Sequence, residues 1–226
     1  MKAFRPGRLA LVLFLLSFSA AAGEIRVTVS ILTAEGKSVP AAGAVVWVVD
    51  PAAARAAAPS AKPKIASKAK RFDPHVAAVP AGGTVQFPNL DGIYHNVFSL
   101  SEKARFDLGL YRNGASRAMT FENPGVVRIY CNIHPQMAAV LVVIDGAIWA
   151  QAGADGTAVL ANVPAGRATV RAWDEKGGDF VGVVDVPAGG SVPLAVSLDG
   201  SLWREIGHKN KYGKDYPPPD DDVNRY

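Results

Sequence analysis

One short segment concentrates three kinds of metal-binding side chain. Tyr130-Cys131-Asn132-Ile133-His134-Pro135-Gln136-Met137 places a thiolate, an imidazole and a thioether within seven residues. A second imidazole, His95, opens the run His95-Asn96-Val97-Phe98 directly after the turn-rich Asn89-Leu90-Asp91-Gly92. Two imidazoles and a thiolate in a trigonal set, with a thioether as weak axial donor, suit a copper ion that carries electrons. Soft sulfur favours Cu(I) and imidazole accepts both oxidation states, so little has to rearrange when an electron moves. The axial sulfur, the hydrogen bonds to the thiolate and the dryness around it tune the potential. A C-x-x-H pair alone also suits zinc. The fuller C-x-x-H-x-x-M, with a separate upstream histidine, favours one copper held by His95, Cys131, His134 and Met137.

These donors need elements that bring them together. Cys131 ends the apolar run Val126–Tyr130, Met137 precedes the run Ala139–Ile144, and His134 lies on the loop between. His95 sits where a loop meets the next β-rich run. All four can meet at one end of a β-sandwich. The remaining chain supports that architecture. Ile25–Leu32 alternates, with Val27, Val29 and Ile31 on one face, and further short runs follow at Ala44–Val49, Val76–Val79, Thr84–Phe87, Asn96–Leu100, Ala118–Phe121, Ala158–Leu160, Ala168–Trp173, Phe180–Val186 and Ser191–Leu198. Turn residues separate them, as in Pro80-Ala81-Gly82-Gly83, Asn123-Pro124-Gly125 and Pro187-Ala188-Gly189-Gly190. Many short strands at such spacing predict an all-β chain of antiparallel sandwiches.

The stretch from about Ile65 to Asp145 resembles a cupredoxin of the plastocyanin and amicyanin type. Phe72-Asp73-Pro74, Val79-Pro80-Ala81-Gly82-Gly83-Thr84-Val85-Gln86-Phe87, His95-Asn96-Val97 and Phe106-Asp107-Leu108-Gly109 carry the likeness, together with a C-x-x-H-P-x-M loop of amicyanin spacing. The resemblance implies a Greek-key sandwich. It implies His95, Cys131 and His134 as strong equatorial ligands and Met137 as the weak axial one. It also implies that Asn96 ties the two ligand loops together from outside the ligand set. His134 would present its ring edge to the surface, and Ile133, Pro135 and Gln136 around it would form the face where electrons leave. His75 and His208 are expected at the surface rather than as ligands.

A second sandwich is expected from the flanking sequence. Residues 146–200 resemble a carboxypeptidase regulatory-like or Cna-B-like domain in Ala154-Asp155-Gly156-Thr157 and in Leu160-Ala161-Asn162-Val163-Pro164-Ala165-Gly166. Residues 24–50 resemble the opening strands of the same family, in Ala34-Glu35-Gly36-Lys37-Ser38-Val39-Pro40 and Gly43-Ala44-Val45-Val46. The expectation is a discontinuous domain, 24–50 with 146–200, around a cupredoxin at 65–145. The competing arrangement adds residues 24–50 to the cupredoxin as extra strands. Residues 51–64 read as an Ala/Pro-rich linker in which a helix over Ala52–Ala58 would be too short to stand alone. Residues 201–226 read as a C-terminal tail, of which 208–226 is polar and lacks the apolar content to pack. Trp149, Trp173 and Trp203 read as core or interdomain packing.

The N-terminus bears on location. Lys2, Arg5 and Arg8, an apolar run from Leu9 to Phe18 and the small residues Ser19-Ala20-Ala21-Ala22-Gly23 form a secretory leader, assigned to residues 1–23 with cleavage at or near Ala22. The run is short of the roughly 20 residues a membrane span needs. The leader holds three of the basic residues and no acidic one, so the formal charge of +4 falls to +1 without it. The basic pI is therefore partly a property of the leader and is no argument for nucleic acid, and none is expected as a partner. An exported chain whose only cysteine is Cys131 cannot build an internal disulfide, and a lone exported thiol is a liability unless buried or bound.

The function expected is periplasmic electron carriage between redox proteins, such as a dehydrogenase or a cytochrome, by a soluble non-enzyme. The layout resembles proteins of methylamine utilisation. A copper chaperone is the alternative, although only three Met and four His are present. A structural or adaptor module is the other.

Overall fold

The structure is a computed structural model, and it describes residues 21–204 and 207–216. Most of the leader, residues 1–20, therefore lies outside the described residues. The chain opens with strands β1 (Gly23–Leu32), β2 (Ser38–Pro40) and β3 (Val45–Val48), followed by helix α1 (Pro51–Ala57) and a 3-10 turn, Ala58–Ser60. Nine strands come next: β4 (Ala66–Lys68), β5 (Arg71–Asp73), β6 (Val76–Pro80), β7 (Gly83–Pro88), β8 (His95–Ser101), β9 (Ala104–Tyr111), β10 (Ser116–Phe121), β11 (Gly125–Tyr130) and β12 (Ala138–Ile144). The last five are β13 (Trp149–Gln151), β14 (Thr157–Val163), β15 (Gly166–Asp174), β16 (Gly178–Val186) and β17 (Ser191–Asp199). The all-β class expected from the sequence is the one observed.

The strands form two sandwiches. In the first, the sheet β14-β1-β17, with β2 paired to β1, faces the sheet β13-β3-β15-β16. Strand β1 buries every second residue, Ile25, Val27, Val29 and Ile31, against Val46, Val170, Val196 and Leu198. It runs parallel to β17, with Val29 opposite Val196, and antiparallel to β14. Gly23, placed in the leader by the sequence boundary, is the first residue of β1 and pairs with Val163. A side chain there would collide with the Pro187 carbonyl, 2.4 Å from an added Cβ.

The second sandwich packs the sheet β6-β12-β11-β8-β9 and the pair β10-β7 around Val85, Phe87, Val97, Phe121, Val127, Ile129 and Leu141. The hairpin β4-β5 lies against β7: the Ile65 amide donates to Gln86 and the Leu90 amide to Ser67. Strand β9 carries Gly109 at a φ of 72°, and the β8–β9 register slips between Asn96 and Phe98. That irregularity carries the strand end at Tyr111 to its place opposite His95.

The stretch read as a linker, 51–64, carries a short helix followed by the 3-10 turn. Helix α1 begins with Pro51 in its first turn, and Asp50 accepts from the Ala53 amide at 3.0 Å. Seven residues do not hold a helix in water. Here the cap removes one orphan donor, and Ala54 and Ala58 are buried against the second sandwich.

The two sandwiches meet through an apolar seam. Val45, Trp47 and Trp173 of the first pack on Ala78, Val140, Val142 and Ile144 of the second. Trp173 is thus interface, while Trp149 and Trp203 stay partly exposed at 37% and 36%. The chain leaves and re-enters the first sandwich side by side: the Asp50 amide donates to Asp145, and Trp47 Nε1 donates to Asp145 Oδ1 at 2.6 Å. An added Cβ at Gly146 would lie 1.9 Å from the Val48 carbonyl, so only glycine permits this crossing. Each large apolar side chain buried in the seam contributes roughly 1.5–3 kcal/mol. A surface ion pair is worth about 0–1 kcal/mol, so apolar packing, not charge, fixes the two bodies.

A polar contact closes the rim of this seam. His75 Nε2 meets Glu175 Oε2 at 2.6 Å and its Nδ1 meets the Ala138 carbonyl at 3.1 Å, with Arg128 on the far oxygen of Glu175 at 3.4 Å. The hydrogen bond to Glu175 holds the His75 pKa above its ordinary value, against partial desolvation. A histidine raised in this way stabilises the fold most below its unfolded pKa, about 6.5, and the gain disappears as pH rises through the folded value. The melting-temperature difference between wild type and Glu175→Gln should therefore be larger at pH 6 than at pH 9. An equal difference at both would show that His75 does not contribute.

Candidate metal centre

The centre begins with the loop between β11 and β12. Strand β11 alternates, burying Val127 and Ile129, and this phase turns Cys131 inward at 0% exposure. The loop is closed tightly: the Cys131 amide donates to the Met137 carbonyl at 3.2 Å, and the Met137 amide to the His134 carbonyl at 3.0 Å. Met137 is also fully buried and shares the core cluster of Cys131. His134 is half-buried, Ile133 is half-buried, and Pro135 and Gln136 are exposed.

His95 arrives from the other side, as the first residue of β8, opposite Tyr111. Its ring is completely buried. His95 Nδ1 lies 3.1 Å from His134 Nδ1, the two ring centroids are 4.8 Å apart, and His134 Nδ1 lies 3.6 Å from Cys131 Sγ. The ligand atoms of His95, Cys131 and His134 all fall within 4.8 Å of one another. Among the described residues this is the group that can hold a metal ion.

The protonation states favour metal binding. Burial, then the neighbouring His95 and Lys70 charges, pull His134 down to about 4, with Asp91 opposing. His134 is therefore neutral near pH 7 and has its lone pair available. Burial pushes the Cys131 thiol up, against the backbone amides of Asn96, Ile133 and His134, which favour the thiolate. A buried thiol of this kind gives up its proton when a cation replaces it. The donor set, a buried imidazole, a half-buried imidazole and a buried thiol, fits a soft or borderline ion.

Side chains around the ligands hold them in place. Asn96 joins the two ligand segments, since its Oδ1 accepts from the Asn132 amide at 3.3 Å and its Nδ2 donates to Asp107 Oδ1 at 2.7 Å. Two further residues were not singled out from the sequence. Asp91 Oδ2 meets His95 Nε2 at 2.7 Å, which leaves His95 Nδ1 facing the centre. The same carboxylate accepts from the Ala69 and Lys70 amides, at 2.6 and 2.9 Å. Those two residues form the turn of the β4-β5 hairpin and both have positive φ, 52° and 54°. Neither is glycine, so the turn is strained, and the carboxylate that accepts both amides compensates. Desolvation pushes the Asp91 carboxyl up, but the Lys70 amide, His95 and the Ala69 amide together hold it below the ordinary range. Asn89, fully buried, donates to the Ile93 and Tyr111 carbonyls at 2.8 and 3.0 Å and accepts from the Asp91 amide, which fixes the loop leading to His95. A carboxylate four residues before a candidate histidine ligand was the available signal.

His75 and His208 are not part of the cluster. His208 nevertheless approaches the centre: its Nε2 meets the Pro135 carbonyl at 2.7 Å and its ring stacks on Tyr130, centroids 3.9 Å apart. The segment 207–216 is thus packed on the second sandwich and does not hang free, contrary to the expectation for the tail. Its contacts are polar and aromatic pairs matched one by one, which an apolar-content criterion does not detect.

No family model matches the sequence, and no curated protein matches it. Solved structures do. A copper-containing nitrite reductase from Thermus scotoductus SA-01 is 23% identical over 38% of this chain at a TM-score of 0.36, and the match spans only 23% of the reductase. A purple cupredoxin from Nitrosopumilus maritimus is 25% identical over 36% of this chain and 98% of its own, at a TM-score of 0.32. Amicyanin from Paracoccus versutus is 21% identical over 42% of this chain and 90% of its own, at a TM-score of 0.35.

The Asp91–His95 pair has a direct consequence. Outer hydrogen bonds to a ligating histidine fix its tautomer and orientation, and losing one typically costs about 10–100-fold in metal affinity. Asp91→Asn should weaken Cu(II) binding by that factor in a competition titration. An unchanged affinity would show that Asp91 serves only the hairpin turn.

Proposed function

We propose that this protein is an exported carrier of single electrons that uses one type 1 copper. In this reading His95, Cys131 and His134 are the strong ligands and Met137 is the weak axial one. The observation that carries it is the convergence of one thiol and two imidazoles, from segments 36 residues apart in sequence, within 4.8 Å, with His95 and Cys131 fully buried. When bound, the copper accepts and releases one electron. The protein residues hold its ligands still, with Asp91 orienting His95 and Asn96 joining the two ligand segments. They also exclude water from Cys131.

A chaperone has to hand its metal over, which favours accessible ligands. His95, Cys131 and Met137 at 0% exposure favour retention instead. No helix among the described residues is long and apolar enough to cross a membrane. The electron route proposed runs through His134, the one half-exposed member of the cluster, and the docking face is Ile133, Pro135 and Gln136 around it. The partner proposed is a periplasmic redox protein, a dehydrogenase or a cytochrome. Segment 65–145 is the electron-carrying domain in this account, and 24–50 with 146–200 form the domain that presents it.

The test is reconstitution of the chain with Cu(II). An intense visible thiolate-to-copper band with narrow copper hyperfine splitting is expected, and Cys131→Ser should abolish it. Cu(II) uptake without that band, or no uptake, would contradict the electron-carrier reading.

A further inference from the structure

The loop Cys131–Met137 is held from outside by a part of the chain far away in sequence. Tyr216 donates its hydroxyl hydrogen to the Cys131 carbonyl at 2.7 Å. The Lys211 amide donates to Asn132 Oδ1 at 3.0 Å. His208 Nε2 meets the Pro135 carbonyl at 2.7 Å. Three points of the ligand loop therefore take their outer hydrogen bonds from one nine-residue segment, His208–Tyr216. The segment is itself folded: Asn210 caps a turn by accepting from the Tyr212 and Lys214 amides, with Gly213 at a φ of 74°, and Lys209 pairs with Asp215 across it.

The contacts also close a ring. Lys211 Nζ meets Asp107 Oδ2 at 2.7 Å, Asp107 Oδ1 accepts from Asn96, Asn96 accepts from the Asn132 amide, and Asn132 accepts from Lys211. Asn96 follows His95 and Asn132 follows Cys131, so the ring joins both ligand segments and the C-terminal segment completes it. Beside it His208 stacks on Tyr130 at an interplanar angle of 18° and meets Tyr216 edge-on. These aromatic groups lie over the strand end that delivers Cys131.

We infer that the segment His208–Tyr216 is a positioning element of the metal centre: a clasp that fixes the ligand loop and thereby sets the reduction potential. Its electrochemical consequence rests on the copper reading, whereas its mechanical consequence does not. A donor on the carbonyl of the thiolate ligand withdraws electron density from that residue, and the aromatic cover keeps the surroundings of Cys131 dry. Both effects favour the reduced, less charged centre. Loss of the clasp should loosen the loop and lower the potential.

The experiment compares wild type, Tyr216→Phe and a chain truncated after Gly207. In the metal-free proteins, amide hydrogen exchange is read by NMR at Asn132, Ile133, His134, Gln136 and Met137. Truncation should speed exchange there about tenfold or more, and Tyr216→Phe should act in the same direction but less, while amides of β1 and β17 keep their rates. In the copper-loaded proteins both changes should lower the potential and move the thiolate-to-copper band. Unchanged loop exchange in both variants overturns the clasp. Faster exchange with an unmoved potential and band reduces the segment to a cover and overturns its role at the centre. If wild type takes up no copper with a thiolate band, the electron-carrier reading fails by itself, and loop exchange alone still decides whether the clasp exists.

Discussion

Everything at this site depends on gathering three metal-binding side chains, two of them fully buried and the third half-buried, in the second sandwich. Two imidazoles and a thiol gathered within 4.8 Å have little to offer one another. Desolvation disfavours charge on His134 and on Cys131 alike, so both stay neutral until a cation arrives. Holding them together in that state costs free energy, and the surrounding scaffold has to supply it. Strand phase turns Cys131 inward, the Asp91 carboxylate fixes His95, and two backbone hydrogen bonds close the loop that carries His134 and Met137.

The first sandwich stands apart from this chemistry but not from the geometry. Its contact with the sandwich that carries the candidate metal centre is apolar, through Trp47 and Trp173 on one side and Val140, Val142 and Ile144 on the other. The latter three lie on β12, the strand that follows the ligand loop. One face of β12 thus packs against the other sandwich, while the opposite face, with Ala139, Leu141 and Val143, lines the core that holds Cys131 and Met137. A strand buried on both faces has little freedom to shift, and it anchors the Met137 end of the loop.

Much of this was legible in the sequence, and the reasons differ by feature. The strands of β1, β11 and β12 announced themselves by alternation or by unbroken β-branched runs. Cys131, His134 and Met137 stood out because rare donor types fell at short spacing, and His95 because it opened a strand after a turn. Asp91 and Asn89 did not stand out, since Asn-Leu-Asp-Gly is indistinguishable from an ordinary turn until the β4-β5 hairpin is brought against it. Helix α1 failed the length criterion because its stability comes from an Asp50 cap and the burial of two alanines. The docking of segment 207–216 is illegible for the opposite reason: it uses hydrogen bonds and ring stacking, and apolar content carries no trace of either.

The central claim is that the chain provides a rigid site of one sulfur and two nitrogens for copper in both oxidation states. X-ray absorption at the copper edge tests it most directly, on the loaded protein in its oxidised and reduced forms. The account predicts one close sulfur and two close nitrogens in each form, with distances that change little between them. A first shell of nitrogen and oxygen without a close sulfur, or a ligand lost on reduction, would contradict it.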